Sequence, residues 1–168
     1  QLIQAMRPGS KNPLDERNRD DLGRFGLGLK TASFSQSRKF TVFSKAKGYK
    51  PVFWTWDLDF VNQEKVWKLI RYIPKEENWT KKIETVETGI CVIWWDLDRL
   101  TKNTSEDSEE AKSKFLGIMD SVKSHLSMVF HRYMDDGLKI YLRDREIKSW
   151  DPFMIGVDGL QTKPETRL

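Results

Sequence analysis

"DLGRFGLGLKTASFSQSRKFTVFSK", residues 21–45, places Gly23, Gly26 and Gly28 within six positions and then runs through a helical pattern into a strand. Glycines ahead of a helix let the backbone adopt left-handed angles and approach a ligand closely. The helix start itself presents unpaired N–H groups and partial positive charge. Together they form an anion cradle, usually for phosphate, here from the amides of residues 26–30. A few glycines before a helix are by themselves more often an empty turn. Lys30 and the long polar stretch over residues 8–24 shift the balance toward phosphate.

Two common phosphate loops are excluded by spacing. A Walker A loop requires G-x-x-x-x-G-K-[ST]. Gly23 and Gly28 fit, but Leu29 intervenes before Lys30-Thr31, and no strand precedes Gly23. A dinucleotide fingerprint requires G-x-G-x-x-G, and Thr31 stands where its third glycine belongs.

Outward from this stretch, the pattern predicts an α+β chain. Residues 1–7 read as the end of a helix stopped by Pro8-Gly9. Residues 8–24 form a polar, lid-like loop, and a helix covers 27–37. Strands are expected at 39–45, 51–60, 66–73 and 89–97, the last apolar on both faces and therefore central. Residues 74–88 read as loop. One long helix spans 101–134, capped at Thr104 and Ser105, with an apolar stripe from Phe115 to Tyr133. A hairpin turns around Arg143 to Arg145, and the tail after Pro152 has little pattern. The chain opens in helical pattern without an initiator methionine, which points to residues upstream.

Composition narrows the class. The 168 residues suffice for one domain with a core, and 38% hydrophobic with 12% aromatic residues supports folding. Seven tryptophans suggest a well-filled sheet face or core. The formal net charge of +4 permits nucleic-acid contact without arguing for it, since no basic block dominates. Cys91 is the single cysteine, which excludes an internal disulfide framework and fits a reducing cytoplasm. No apolar run is long enough to cross a membrane, and no signal peptide is visible. Asp57 with Asp59, and Asp96 with Asp98, share strand faces, yet read as outward carboxylates at strand ends. His125 and His131 are six apart and share no helix face. Trp150 to Phe153 reads as a packing corner.

The motif that remains, G-x-F-G-x-G-L-K behind a polar lid and ahead of helix then strand, resembles the second glycine motif of the GHKL ATPases. That group includes gyrase B, Hsp90, histidine kinases and MutL. "LGRFGLGLKTASFSQSRKFTVFSK" is most similar to the Hsp90-like and MORC-like bacterial branch. "AMRPGSKNP", "TGICVIWWDLDRL" and the helix and hairpin from Met128 onward resemble further parts of that branch, so nearly the whole chain is covered.

The resemblance implies a Bergerat-type sandwich: a mixed, mostly antiparallel sheet with helices on one face, N-terminally incomplete. It implies one domain over 1–168, with the lid and following helix at 8–37, the sheet at 38–100, the long helix and hairpin at 101–150 and the tail at 151–168. It implies ATP as ligand, with Gly23, Arg24, Phe25, Gly26, Leu27, Gly28, Leu29 and Lys30 around its phosphates. Amides 26–29 would be the main donors, and Phe25 would pack under the lid. It places the general base, the Mg²⁺ ligand and the adenine-reading aspartate upstream of Gln1. A chain opening there would lack them and hydrolyse nothing alone. Gly89 marks the adenine side weakly, because Ile90 stands where the family's G-T-x-V motif has threonine. Lid closure coupled to conformational change or homodimerisation is the implied output. The alternative is a degenerate, non-catalytic module of the same fold that binds nucleic acid or a protein partner.

Overall fold

The computed structural model describes residues 1–9, 16, 26–73, 78–97 and 108–154. Backbone contacts gather the chain into two compact units, Gln1–Asn103 and Thr104–Leu168.

In the first unit a three-stranded antiparallel sheet has the order β2-β1-β3, with β1 at Lys39–Lys45, β2 at Val52–Asp57 and β3 at Gly89–Trp95. Four helices accompany it among the described residues: α1 (Leu2–Met6), α2 (Gly28–Gln36), α3 (Leu58–Glu64) and α4 (Asn78–Thr85). The α+β class and antiparallel sheet follow the expectation and fit the GHKL sandwich.

Register assigns the two faces. Phe40 lies opposite Trp56 on one side and Trp94 on the other, and Val42 opposite Trp54 and Val92. Residues paired this way share a face, and alternate residues along a strand do not. Phe40, Val42 and Trp56 form the core of this face with Met6 of α1, joined by Leu2, Phe34 of α2 and Val61 of α3. Phe34 meets Phe40 edge-on at 5.1 Å.

The opposite face carries a buried polar chain. The Trp95 indole N–H donates to the Thr41 hydroxyl (2.9 Å), Thr41 and Thr55 are 2.7 Å apart, and the Thr55 hydroxyl donates to the Tyr72 carbonyl (2.5 Å). Both threonines are fully buried, so each hydroxyl needs a partner there.

Several sequence expectations are corrected. The strand expected at 51–60 ends at Asp57, which is the N-cap of α3: its Oδ1 accepts from the amides of Asp59 (3.0 Å) and Phe60 (3.1 Å). The carboxylate is therefore turned inward, not outward, and its Oδ2 pairs with Lys39 Nζ at 2.9 Å. Residues 66–73 form no strand: Ile70 alone bridges Thr55, and Thr55's side chain takes the Tyr72 carbonyl that a ladder would need. Residues 78–85, expected as loop, are α4, whose Ile83 is buried. Finally, β1 is the central strand among the described residues, and β3 lies beside it with Ile90, Val92 and Trp94 exposed. A continuous apolar run did not separate a half-covered strand from one covered on both faces.

In the second unit the long helix is α5 (Glu109–Val129), capped by Ser108, whose hydroxyl accepts from the Ala111 amide at 3.1 Å. The expected single helix breaks at Phe130 (φ −103°, ψ 13°), and α6 (His131–Asp135) follows. The caps expected at Thr104 and Ser105 lie outside the described residues. The hairpin is two short strands, β4 (Tyr141–Leu142) and β5 (Arg145–Glu146), turned by Arg143 at φ +56°.

Burial alone would lower the pKa of Lys39, but the hydrogen bond and charge of Asp57, aided by Asp96, outweigh it and raise the pKa above 10.5. A raised lysine stabilises fully below its unfolded value, and that contribution is lost as pH rises through the folded value. Urea midpoints of the wild type should therefore fall above pH 10.5 more steeply than those of Lys39→Met. Asp57→Ala removes both the cap and the partner of Lys39. It should cost about 3 kcal/mol, the scale of breaking a largely buried pair.

Candidate functional site

The start of α2 carries the described part of the glycine-rich segment. Gly26 sits at φ +63°, a conformation that costs any other residue about 1–2 kcal/mol. Leu27 is the N-cap and supplies no side-chain hydrogen bond, so among the described residues no side chain closes the amides of the first turn. The first intrahelical bond runs from the Thr31 amide to the Leu27 carbonyl at 3.0 Å. A Cβ built on Gly28 would meet nothing within 4 Å. Leu27, Gly28 and Leu29 are exposed. The structure thus presents uncapped amides beside open space, as a phosphate cradle requires. Gly23, Arg24 and Phe25 lie outside the described residues.

Lys30 is drawn into the fold. It is 4% exposed, and its Nζ donates to the Ala5 carbonyl at 2.8 Å. Burial lowers its pKa. The ammonium satisfies a carbonyl at the end of α1 that has no partner within the helix, a placement the helix dipole also favours. No sequence signal pairs Lys30 with Ala5, since 25 positions separate them.

The next turn of α2 ties the helix to the sheet. Ser33 is fully buried, and its Oγ accepts from the Trp94 indole at 2.9 Å. This links α2 to β3 on the face of Phe40 and Val42. Ile90, two pairs along that face, is 74% exposed. Gly89 lies on the other face, where an added Cβ would point at Val86 (3.5 Å) and Ile83 (3.6 Å). The structure therefore does not bring Gly89 together with the start of α2.

Other candidates resolve into structure. Asp59 pairs with Arg38 at 2.6 Å, and that hydrogen bond lowers its pKa. Asp98 lies outside the described residues. Burial pushes the Cys91 thiol up, which disfavours the reactive thiolate. His131 is buried with Nδ1 2.6 Å from the Met128 carbonyl, and His125 is exposed. Among the described residues no group of three His, Cys, Asp or Glu side chains could hold a metal ion. No helix among them is long and apolar enough to cross a membrane.

The family model of histidine kinase-, DNA gyrase B- and HSP90-like ATPases matches residues 1–90, more than half of the 168. The chain belongs to this family. No curated protein and no solved structure gave a match. The matched span contains α1, the glycine-rich segment, α2, β1 and β2. A nucleotide-binding, ATPase-like role is the function that membership supports.

Two substitutions test how the start of α2 is held. Lys30→Met keeps the stem and removes the ammonium. Losing a charged hydrogen bond costs about 1.5–3 kcal/mol, and relief from burying charge offsets part of it. A net loss of about 1 kcal/mol is expected in urea unfolding. Gly26→Ala should cost about 1–2 kcal/mol by left-handed strain.

Proposed function

We propose that this chain is the phosphate-handling part of a GHKL ATPase of the Hsp90-like and MORC-like branch. The amides of Gly26, Leu27, Gly28 and Leu29 hold the β- and γ-phosphates of ATP. Gly23, Arg24 and Phe25 complete the segment that passes over them. The observation that carries this reading is the uncapped, open start of α2 in a chain of this family.

The chemistry asked of these residues is electrostatic. Backbone amides aimed at the γ-phosphate stabilise charge that builds as it leaves, and they need no reorganisation during the step. Gly28 matters because any Cβ there would stand in the space a phosphate oxygen takes. Lys30 acts at one remove: its bond to the Ala5 carbonyl sets where α2 begins relative to α1. Bound Mg²⁺ would neutralise phosphate charge; no group of three His, Cys, Asp or Glu side chains among the described residues could hold it unaided. Residues 8–24 serve as the lid in this proposal. ATP binding closes it and promotes a homodimer, which couples nucleotide to conformational change.

Ile90 shapes the adenine side. An exposed isoleucine offers apolar contact to a base but no hydroxyl to an amino group or a bound water. Ile90→Thr should therefore strengthen ATP binding, by up to about tenfold.

The test is calorimetry with Mg-ATP and the full-length protein at millimolar nucleotide. Binding is expected, and Gly28→Val should weaken it at least about tenfold, the scale of one or two lost phosphate hydrogen bonds. Absence of binding by the wild type at that concentration would overturn the proposal.

A further inference from the structure

At the β2 side of the sheet lies a cleft of about 470 Å³, within the size range of ligand pockets. Its walls include Trp54, Trp56, Trp67 and Leu69, and it is flanked by Arg7 and Lys68. Trp54 and Trp56 are alternate residues of β2 and share the face that carries α1. The Trp56 indole N–H is fixed on the Met6 carbonyl at 3.0 Å. Trp67 comes from the segment after α3 and packs edge-on against Trp56, centroids 5.5 Å apart at 69°. It is nevertheless 66% exposed. One indole is therefore a fixed wall, and another offers its surface to solvent.

Three indoles around a gap suit three ligand chemistries: a quaternary ammonium, a polyproline segment or a nucleobase. Charge decides between them. Among the described residues no acidic side chain lines the cleft, and neither Arg7 nor Lys68 has an ion-pair partner there. Two cations at the rim repel an ammonium and give a neutral polyproline segment nothing. They favour a ligand that carries negative charge beside an aromatic face. Arg71 adds a third cation at the same strand, its guanidinium 5.8 Å from the Trp54 ring centre and 5.6 Å from that of Phe53. Aromatic surfaces flanked by cations that follow a backbone are the chemistry of single-stranded nucleic-acid binding. A duplex keeps its bases stacked and cannot present one to this cleft.

We propose that the cleft between β2 and Trp67 stacks an unpaired base of single-stranded nucleic acid, with adjoining phosphates on Arg7 and Lys68. The site is built from α1, β2 and the segment after α3, and it needs no ATP.

The test is fluorescence anisotropy of the full chain with a labelled oligo-dT of about twelve nucleotides, without ATP, across a salt series. Trp67→Ala should weaken binding by about tenfold, the scale of one lost stacking contact, while Trp67→Phe retains most of it. The exposure of Trp67 makes both variants compatible with folding, to be checked by their unchanged urea midpoints. Arg7→Gln with Lys68→Gln should flatten the dependence of log affinity on log salt by about 1.4, at ~0.7 per phosphate contact. Three results would each overturn the proposal: no oligo-dT binding at low salt, equal affinity in the wild type and Trp67→Ala, or a duplex of the same length bound as tightly with the same response to Trp67→Ala. Preferential quenching of tryptophan fluorescence by a proline-rich peptide would overturn it as well. Because nucleotide is absent throughout, failure here leaves the ATP reading to its own calorimetry.

Discussion

The C-terminal end of α1 is the joint on which the first unit depends. A five-residue helix cannot stand alone, because nucleation costs more than so few hydrogen bonds return. Two side chains from distant parts of the chain hold its last turn. Lys30 of α2 donates to the Ala5 carbonyl, and Trp56 of β2 donates to the Met6 carbonyl. Both carbonyls would otherwise be left without an intrahelical partner. Beneath them Met6 is fully buried against Phe40, Val42 and Trp56. One short helix thereby fixes the glycine-rich segment on one side and the sheet on the other.

That joint also explains how the start of α2 can remain open. A helix N-terminus is normally closed by a serine, threonine, aspartate or asparagine. Here Leu27 occupies the cap position and contributes nothing. The helix is instead held by its other contacts: Lys30 to α1, Ser33 to Trp94 and Phe34 to Phe40. Stability supplied from the flank leaves the amides at the tip available for a ligand. α3 shows the opposite arrangement, with Asp57 closing its first turn and leaving no anion site.

The tryptophans divide by what their indole N–H meets. Trp56, Trp94 and Trp95 each donate within the unit, to Met6, Ser33 and Thr41. These three lock helices and strands to one another. Trp67 contributes an edge contact to Trp56 and otherwise faces solvent, beside Arg7 and Lys68, which no acidic side chain among the described residues neutralises. An indole in that position resembles a contact surface more than a piece of core.

The sequence by itself determined the family, the left-handed glycine ahead of α2, α1, α2 and β1. Each of these is encoded locally: helical spacing, a glycine at a left-handed position, a period of two. It did not determine where β2 stops. "WDLD" alternates as a strand should, and only the amides of Asp59 and Phe60 folding back onto Asp57 make it a helix cap. Nor could it decide which strand is central, since β3 and β1 are both apolar and centrality is a matter of neighbours. The role of Lys30 was equally illegible, because a lysine after a glycine motif reads the same whether it meets a phosphate or a carbonyl 25 residues away. Backbone preference acts over a few residues and is written in the chain. Hydrogen-bond partners across the fold are chosen by burial, when a desolvated donor must take whichever acceptor the packing brings near.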